Sequence, residues 1–334
     1  MTRDLAYSPD DLRLWVKHAH GSPLYAHITE VIASDGELMR VINRIEHTPR
    51  PNILFAAVQY LMSINDVPDL SRFYPNHTAN PDPVNEVDQP FTAFVLANEE
   101  EIVFLGRTRY TQTNECRRCV ALFPGLMEAP FKSFHLVDVG TSAGLNLGVD
   151  RYRYDWGDVQ WGPLSGLLLE TEMRGSAPLL HEIEVLDRIG LDLNPVDPAS
   201  SEDRAWLDAL IWPEHHQRRE RLRMALDLVT ELAVDFVPGD ALVTLSKVLN
   251  QLDHRVPVVI MNSFALNQFS PSQRAEIDEV VDTARSDRPV HRVSYEVLDK
   301  SDDWARLSVD DGTGWREIGQ GHPHGEWIEL YARP

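Results

Sequence analysis

The residues with the clearest chemical potential lie in one run, His135-Leu136-Val137-Asp138-Val139-Gly140-Thr141-Ser142-Ala143-Gly144-Leu145-Asn146-Leu147. It reads as an apolar strand entering a small-residue loop that opens a helix, and α/β folds bind ligands at such loops. Two chemistries share these residues. An acid two positions ahead of Gly140, followed by small residues as far as Gly144, suits close approach of backbone to a cofactor. The same segment, Gly140-Thr141-Ser142-Ala143-Gly144, also spells Gly-x-Ser-x-Gly, in which a serine raised on a strand-to-helix turn becomes a nucleophile.

The loop resembles the S-adenosylmethionine loop of class I methyltransferases, with Ser142 in place of the middle glycine. That resemblance implies a carboxylate after the second strand, where Asp192 stands, accepting from both ribose hydroxyls. It also implies an acceptor for the adenine amino group at Asp240 and an acceptor-positioning residue at Asn262. A sulfonium is already an activated methyl donor, so such a protein needs to place the acceptor and exclude water. The nucleophilic alternative pairs Ser142 with Asp240 and His291, or with Asp253 and His322. Against it, everything before residue 133 reads as helical, no glycine-rich oxyanion loop precedes the strand, and Asp138 would oppose an anionic transition state.

The elements that position these residues fall into two parts. Ser8-Pro9 and Ser22-Pro23 each set a capping hydroxyl before a first-turn proline. Ile53 to Ile64 is apolar nearly all round and reads as a buried helix. Residues 66 to 90 read as a long surface loop, and Phe91 to Leu105 resumes a helical pattern. After residue 133 strands alternate with helices, which predicts a parallel or mixed sheet. The strands expected are Phe134 to Val139, Ile183 to Leu193, Ala233 to Val237, Val256 to Met261 and His291 to Leu298. An antiparallel pair, Trp304 to Val309 with Glu326 to Ala332, closes the sheet. Leu222, Ala225, Leu226, Val229 and Leu232 mark an amphipathic helix, and residues 152 to 173 look like an insertion, a hairpin over the ligand cleft.

A chain of 334 residues exceeds what one core usually organises. Lys and Arg total 31 against 52 Asp and Glu, a net charge of -21 that opposes binding to nucleic acid. Without a basic-then-apolar leader or a run of 18 apolar residues, a soluble cytoplasmic protein with no membrane partner is expected. Cys116 and Cys119 form one Cys-x-x-Cys with no second pair, so reduced thiols are expected in place of a zinc site. His322-Pro323-His324 and His215-His216 lack accompanying ligands, which leaves no metal assigned. Trp206 and Trp212 are expected in the core.

Over nearly its whole length the chain resembles the bacterial domain of unknown function family 2332, itself a distant relative of class I methyltransferases. The likeness rests on Arg109 with Gln112-Thr113-Asn114-Glu115 and Arg118, on the loop from Gly140 to Leu147, and on Asp150-Arg151-Tyr152-Arg153-Tyr154. Gly190, Asp192, Pro195, Asp197, Trp206-Leu207 with Ala209, Trp212-Pro213, Arg218 to Leu222 and Gly239-Asp240 complete it. It implies a methyltransferase-like (Rossmann-type) α/β domain with a seven-stranded sheet over 131–334, preceded by a helical lid domain over 1–130. The expected activity is S-adenosylmethionine-dependent methyl transfer to a small-molecule substrate. Asp138, Gly140, Ser142, Gly144, Asn146, Asp192 and Asp240 would line the cofactor site, and Gln112, Asn114, Arg118 and Tyr152 would face the acceptor. Glu115 would serve as general base and Asn262 would position the acceptor. The alternatives are a non-catalytic nucleoside binder on the same scaffold and a serine hydrolase using Ser142.

Overall fold

The structure, a computed structural model, describes residues 6–16, 21–299 and 302–333. It divides into two compact units, the described residues of Met1–Thr113 with Ser201–Glu220, and Asn114–Ser200 with Arg221–Pro334. The division therefore falls at Asn114, ahead of residue 130, and a later segment joins the helical unit.

That first unit is built from helices Pro9–Val16, Pro23–Ser34, Gly36–Asn43, Arg50–Ile64, Asp88–Ala97, Glu99–Thr108 and Ser201–Ala209. Ser22 caps as its sequence predicts, accepting from Tyr25 N at 3.1 Å. The Arg50–Ile64 helix is the buried one: Ile53 through Val58, Gln59, Leu61 and Met62 are all enclosed, and Trp206 joins that core. The expected loop over 66–90 is interrupted by a short helix, Pro68–Ser71, and the helical pattern after it is two helices.

Gln59 is a buried polar side chain in the middle of its helix, and it makes full use of its amide. Its Nε2 donates to Tyr25 Oη at 2.7 Å and lies 2.8 Å from the carbonyls of both Ala209 and Ile211. Its Oε1 accepts from Asn76 Nδ2 at 3.0 Å and Arg219 Nη2 at 3.2 Å. Residues 201–220 are thus fastened to the first helices by a buried network, which is costly to leave half made.

Among the described residues the second unit carries twelve strands: β1 Ser133–Val139, β2 Arg153–Asp155, β3 Gln160–Trp161, β4 Leu168–Glu170, β5 Glu172–Gly175, β6 Glu184–Asp192, β7 Val234–Pro238, β8 Val258–Ser263, β9 Val290–Glu296, β10 Ala305–Asp310, β11 Arg316–Gly321 and β12 Trp327–Leu330. Nine form one sheet in the order β5-β12-β11-β10-β9-β8-β1-β6-β7. The run from β9 to β7 is parallel throughout, with helices Ala241–Gln251 and Pro271–Arg285 covering one face over Val137, Val139, Ile189 and Ile260. From β9 to β12 the pairing is antiparallel, and β5 adds a parallel edge.

Nine strands replace the expected seven because β5 and β11 carry little periodicity. Strand β11 reads Arg-Glu-Ile-Gly-Gln-Gly and meets β10 across a register shift at Leu307/Ser308, so β10 pairs with β11 and not with β12. No long helix follows β1; the chain makes one 3-10 turn, Leu145–Gly148. The insertion is a separate small sheet ordered β3-β2-β4, packed by Tyr154 stacked on Trp156 at 4.9 Å.

Replacing Gln59 by Leu is expected to destabilise the chain by about 2–4 kcal/mol in urea unfolding, since Arg219 and two buried carbonyls lose a partner.

Candidate functional site

Strand order reverses between β1 and β8, because successive crossovers from β1 run toward β7 and those from β8 run toward β9. In open α/β sheets the crevice outside the carboxyl ends of the strands at such a reversal is where ligands sit. Asp138 with the loop Gly140–Gly144, and Asn262 with Ser263 and Phe264, occupy those two ends.

The two loops touch. Gly140 lies at φ 80°, and a Cβ there would run into the side chain of Ala265; only glycine meets both demands. Opposite Asp138 on β6 stands Gly190, whose missing side chain leaves room for Thr141.

Ser142 sits at φ 51°, a strained backbone for a residue with a side chain. Its surroundings over-determine that conformation. Its N–H donates to Asp192 Oδ2 at 2.8 Å, its Oγ accepts from Asn114 Nδ2 at 3.0 Å, and its carbonyl accepts from Val196 N at 3.1 Å. Asn114 Oδ1 takes Ala143 N at 3.3 Å. Asn114 is therefore a clamp on the loop, and the serine in the middle-glycine position is its partner. Asp192 also accepts from Asn194 N at 2.8 Å, one bond per oxygen, which leaves each oxygen acceptor capacity for another donor.

The loop after β8 hangs on a residue that the sequence reading passed over, Glu296 at the carboxyl end of β9. Buried to 1% exposure, its Oε1 accepts from Asn262 Nδ2 at 2.8 Å, Ala265 N at 2.9 Å and Leu266 N at 3.0 Å, while Oε2 takes Asn267 N at 3.3 Å. Burial raises its pKa and these donors oppose that rise. Asn262 also donates to Ser294 Oγ at 2.9 Å, so its side-chain amide is turned toward β9, and its role is to brace this loop. Phe264, at φ 55°, takes the Arg118 guanidinium over its ring at 4.1 Å.

Asp138 differs from these carboxylates. It is wholly buried, and neither oxygen has a hydrogen-bond partner. Burial, reinforced by the charges of Asp192 and Glu296, pushes its pKa up to about 8 against the lowering influence of Thr141 and Arg118. The Thr141 hydroxyl is a near neighbour outside hydrogen-bonding geometry, its own oxygen being unpartnered as well.

The remaining expected site residues are dispersed. Glu115 is buried, with Oε1 capping Arg117 N at 3.1 Å and 3.7 Å from Arg221 Nε. Asn146 Oδ1 faces the Cys119 thiol at 3.6 Å. Asp240 is an exposed helix cap, accepting from Leu242 N at 3.0 Å. Tyr152 is fully buried and its hydroxyl donates to Leu145 O at 2.7 Å; a core position removes it from the acceptor-facing set. Gln112 belongs to the first unit, Asn114, Glu115 and Arg118 to the second. Two of the partners nominated for a nucleophilic Ser142, His291 and Asp253, lie at the amino ends of their strands. His291 is near the start of β9 and bonds Gly125 O at 3.1 Å, and Asp253 precedes β8 and pairs with Arg255 at 2.6 Å. Both thiols are free and buried, with burial raising their pKa values. Among the described residues no group of three or more His, Cys, Asp or Glu could hold a metal ion, and no helix is long and apolar enough to cross a membrane.

Two outcomes test this geometry. The folded pKa of Asp138 lies above its ordinary 3.8, so the native state holds the extra proton and stability falls as pH rises from about 4 toward 8. In urea titrations at pH 5 and pH 8, wild type should lose stability relative to Asp138→Asn; parallel curves would remove the buried-acid assignment. Glu296→Ala should speed amide hydrogen exchange at Ala265, Leu266 and Asn267 selectively, and unchanged exchange there would remove its role as an anchor.

No curated protein matches the chain. Residues 12–330 match a family described as uncharacterized protein conserved in bacteria (DUF2332), and with nearly the whole length covered, the chain belongs to that family.

Proposed function

We propose that this carboxyl edge binds S-adenosylmethionine and that the protein transfers its methyl group to a small molecule. The observation that carries the reading is Asp138. For a wholly buried carboxyl group without a hydrogen bond, beside the switch point of the sheet, the Arg118 charge does not offset the cost of burial, and the carboxyl pKa stays raised. A ligand bearing a sulfonium and an ammonium adds positive charge and would return the group to its ionised form.

Three further features support this choice over a phosphate-bearing cofactor. The parallel strands follow the 3-2-1-4-5 order of dinucleotide-binding sheets, yet the helix whose N-terminus would hold a pyrophosphate is replaced by a short 3-10 turn. Asp138, Asp192 and Glu296 make the edge acidic, and Asp192 keeps acceptor capacity for ribose hydroxyls. When bound, the cofactor supplies an activated methyl group. The chain's own part is to seat it with Asp138 and Asp192 and to hold the two loops in place with Asn114 and Glu296.

One observation favours the second reading, a non-catalytic nucleoside binder: Asn262, expected to face an acceptor, is spent on Ser294 and Glu296. The hydrolase reading gains from the strained Ser142, but the Ser142 hydroxyl is bonded to Asn114 and not to a histidine.

Thermal unfolding with S-adenosylmethionine, S-adenosylhomocysteine, adenosine and NAD tests the proposal, since ligand at 100 times its Kd adds about 2.7 kcal/mol of stability. The sulfur nucleosides should stabilise selectively. Asp138→Asn should weaken S-adenosylmethionine but leave adenosine unchanged, whereas Asp192→Ala should weaken both. Stabilisation by NAD alone, or equal losses for both ligands in Asp138→Asn, would overturn it.

A further inference from the structure

The run His322-Pro323-His324 has no part in the proposed cofactor site. These residues form the turn between β11 and β12, and they are fixed to the carboxyl edge of the sheet. Tyr295 Oη donates to His322 O at 2.8 Å, and Arg118 Nε donates to Pro323 O at 3.0 Å while its guanidinium covers Phe264. Arg117 Nε holds His324 O at 2.8 Å.

Within this turn the His322 ring has a defined protonation. Its Nδ1 accepts from the backbone N–H of His324 at 3.2 Å, so the neutral ring carries its proton on Nε2. Adding a second proton at Nδ1 would set two N–H groups against each other. Burial also lowers the pKa of this ring, with Arg117 assisting and the carboxylates of Glu326 and Glu115 opposing. His322 is thus a neutral donor at Nε2, and its nearest carboxylate there, Glu326 Oε2, stands at 3.9 Å, beyond hydrogen-bond reach. Beside it lies Trp304, ring centroid 6.3 Å away, 40% exposed, and held edge-on to Trp327 at 4.9 Å.

We infer that Trp304 and His322 form a subsite for a planar, uncharged carbonyl compound, its ring lying on Trp304 and its oxygen accepting from His322 Nε2–H. A fixed neutral imidazole can donate to such an oxygen without becoming charged, and an indole face with an exposed side offers apolar area for a flat ring. An anionic oxygen fits less well, because Glu115 and Glu326 both act on the His322 ring. That this compound is the methyl acceptor rests on the methyl-transfer reading above; the subsite itself does not.

The test uses the full chain labelled with 15N in its histidine rings, without S-adenosylmethionine, and benzamide as probe with benzoate as its charged counterpart. At pH 7 His322 should be the Nε2–H tautomer. Benzamide should shift its Nε2 resonance and quench tryptophan fluorescence, and benzoate should do so only at higher concentration. His322→Phe should abolish the benzamide response, and Trp304→Leu the quench, with Trp304→Phe as the variant if Leu does not fold. An Nδ1–H tautomer, an unmoved His322 resonance, or tighter binding of benzoate would overturn the subsite. A benzamide response in a protein that S-adenosylmethionine fails to stabilise keeps the subsite and removes the donor; the reverse pattern removes the subsite alone.

Discussion

Parallel strands end by releasing backbone N–H groups, and where the strand ends are buried those donors must find acceptors inside the protein. At the switch point this constraint is met by carboxylates. Asp192 takes the N–H groups of Ser142 and Asn194, and Glu296 takes those of Ala265, Leu266 and Asn267. The two loops so held are in contact through Gly140 and Ala265. Each bond from an ionised acceptor is stronger than a neutral one, and together they hold Ser142 and Phe264 at positive φ.

Seen this way, the acids at the sheet edge divide by what they do. Asp192 and Glu296 are anchors, Asp240 caps a helix, and Asp138 alone is buried without a partner. A strand-end acid is therefore a poor indicator of ligand contact by itself. The distinguishing property is whether the surrounding backbone already uses its lone pairs, which depends on the path of the chain after the strand.

This explains what the sequence made legible. The five parallel strands were readable from apolar runs with turn residues at their ends, and the buried Arg50–Ile64 helix from its uninterrupted hydrophobicity. Strands β5 and β11 were not, since their exposed polar residues and glycines lack the alternation that marks a half-buried strand. The loop Gly140–Gly144 was found, but the helix expected after it was not there, because Gly144 at φ 76° leads into a turn that breaks off at Gly148. Glu296 escaped notice because its importance lies in three N–H groups some thirty residues earlier, a relation that neither spacing nor composition encodes. Asn114 and Ser142 looked like two separate site residues; only geometry reveals them as a pair.

The segment 201–220 has a consequence for how the chain is made. Gln59 cannot complete its bonds until Ala209, Ile211 and Arg219 exist, yet β1 and β6 lie between them in the sequence. As the polypeptide leaves the ribosome, the helical unit must wait, with its central helix incompletely covered, while the first half of the sheet is synthesised. The parallel core and the helical core therefore mature in overlapping order, and a nascent chain halted before residue 209 leaves Gln59 with Tyr25 and Asn76 but without the two carbonyls and the Arg219 guanidinium that complete its bonds.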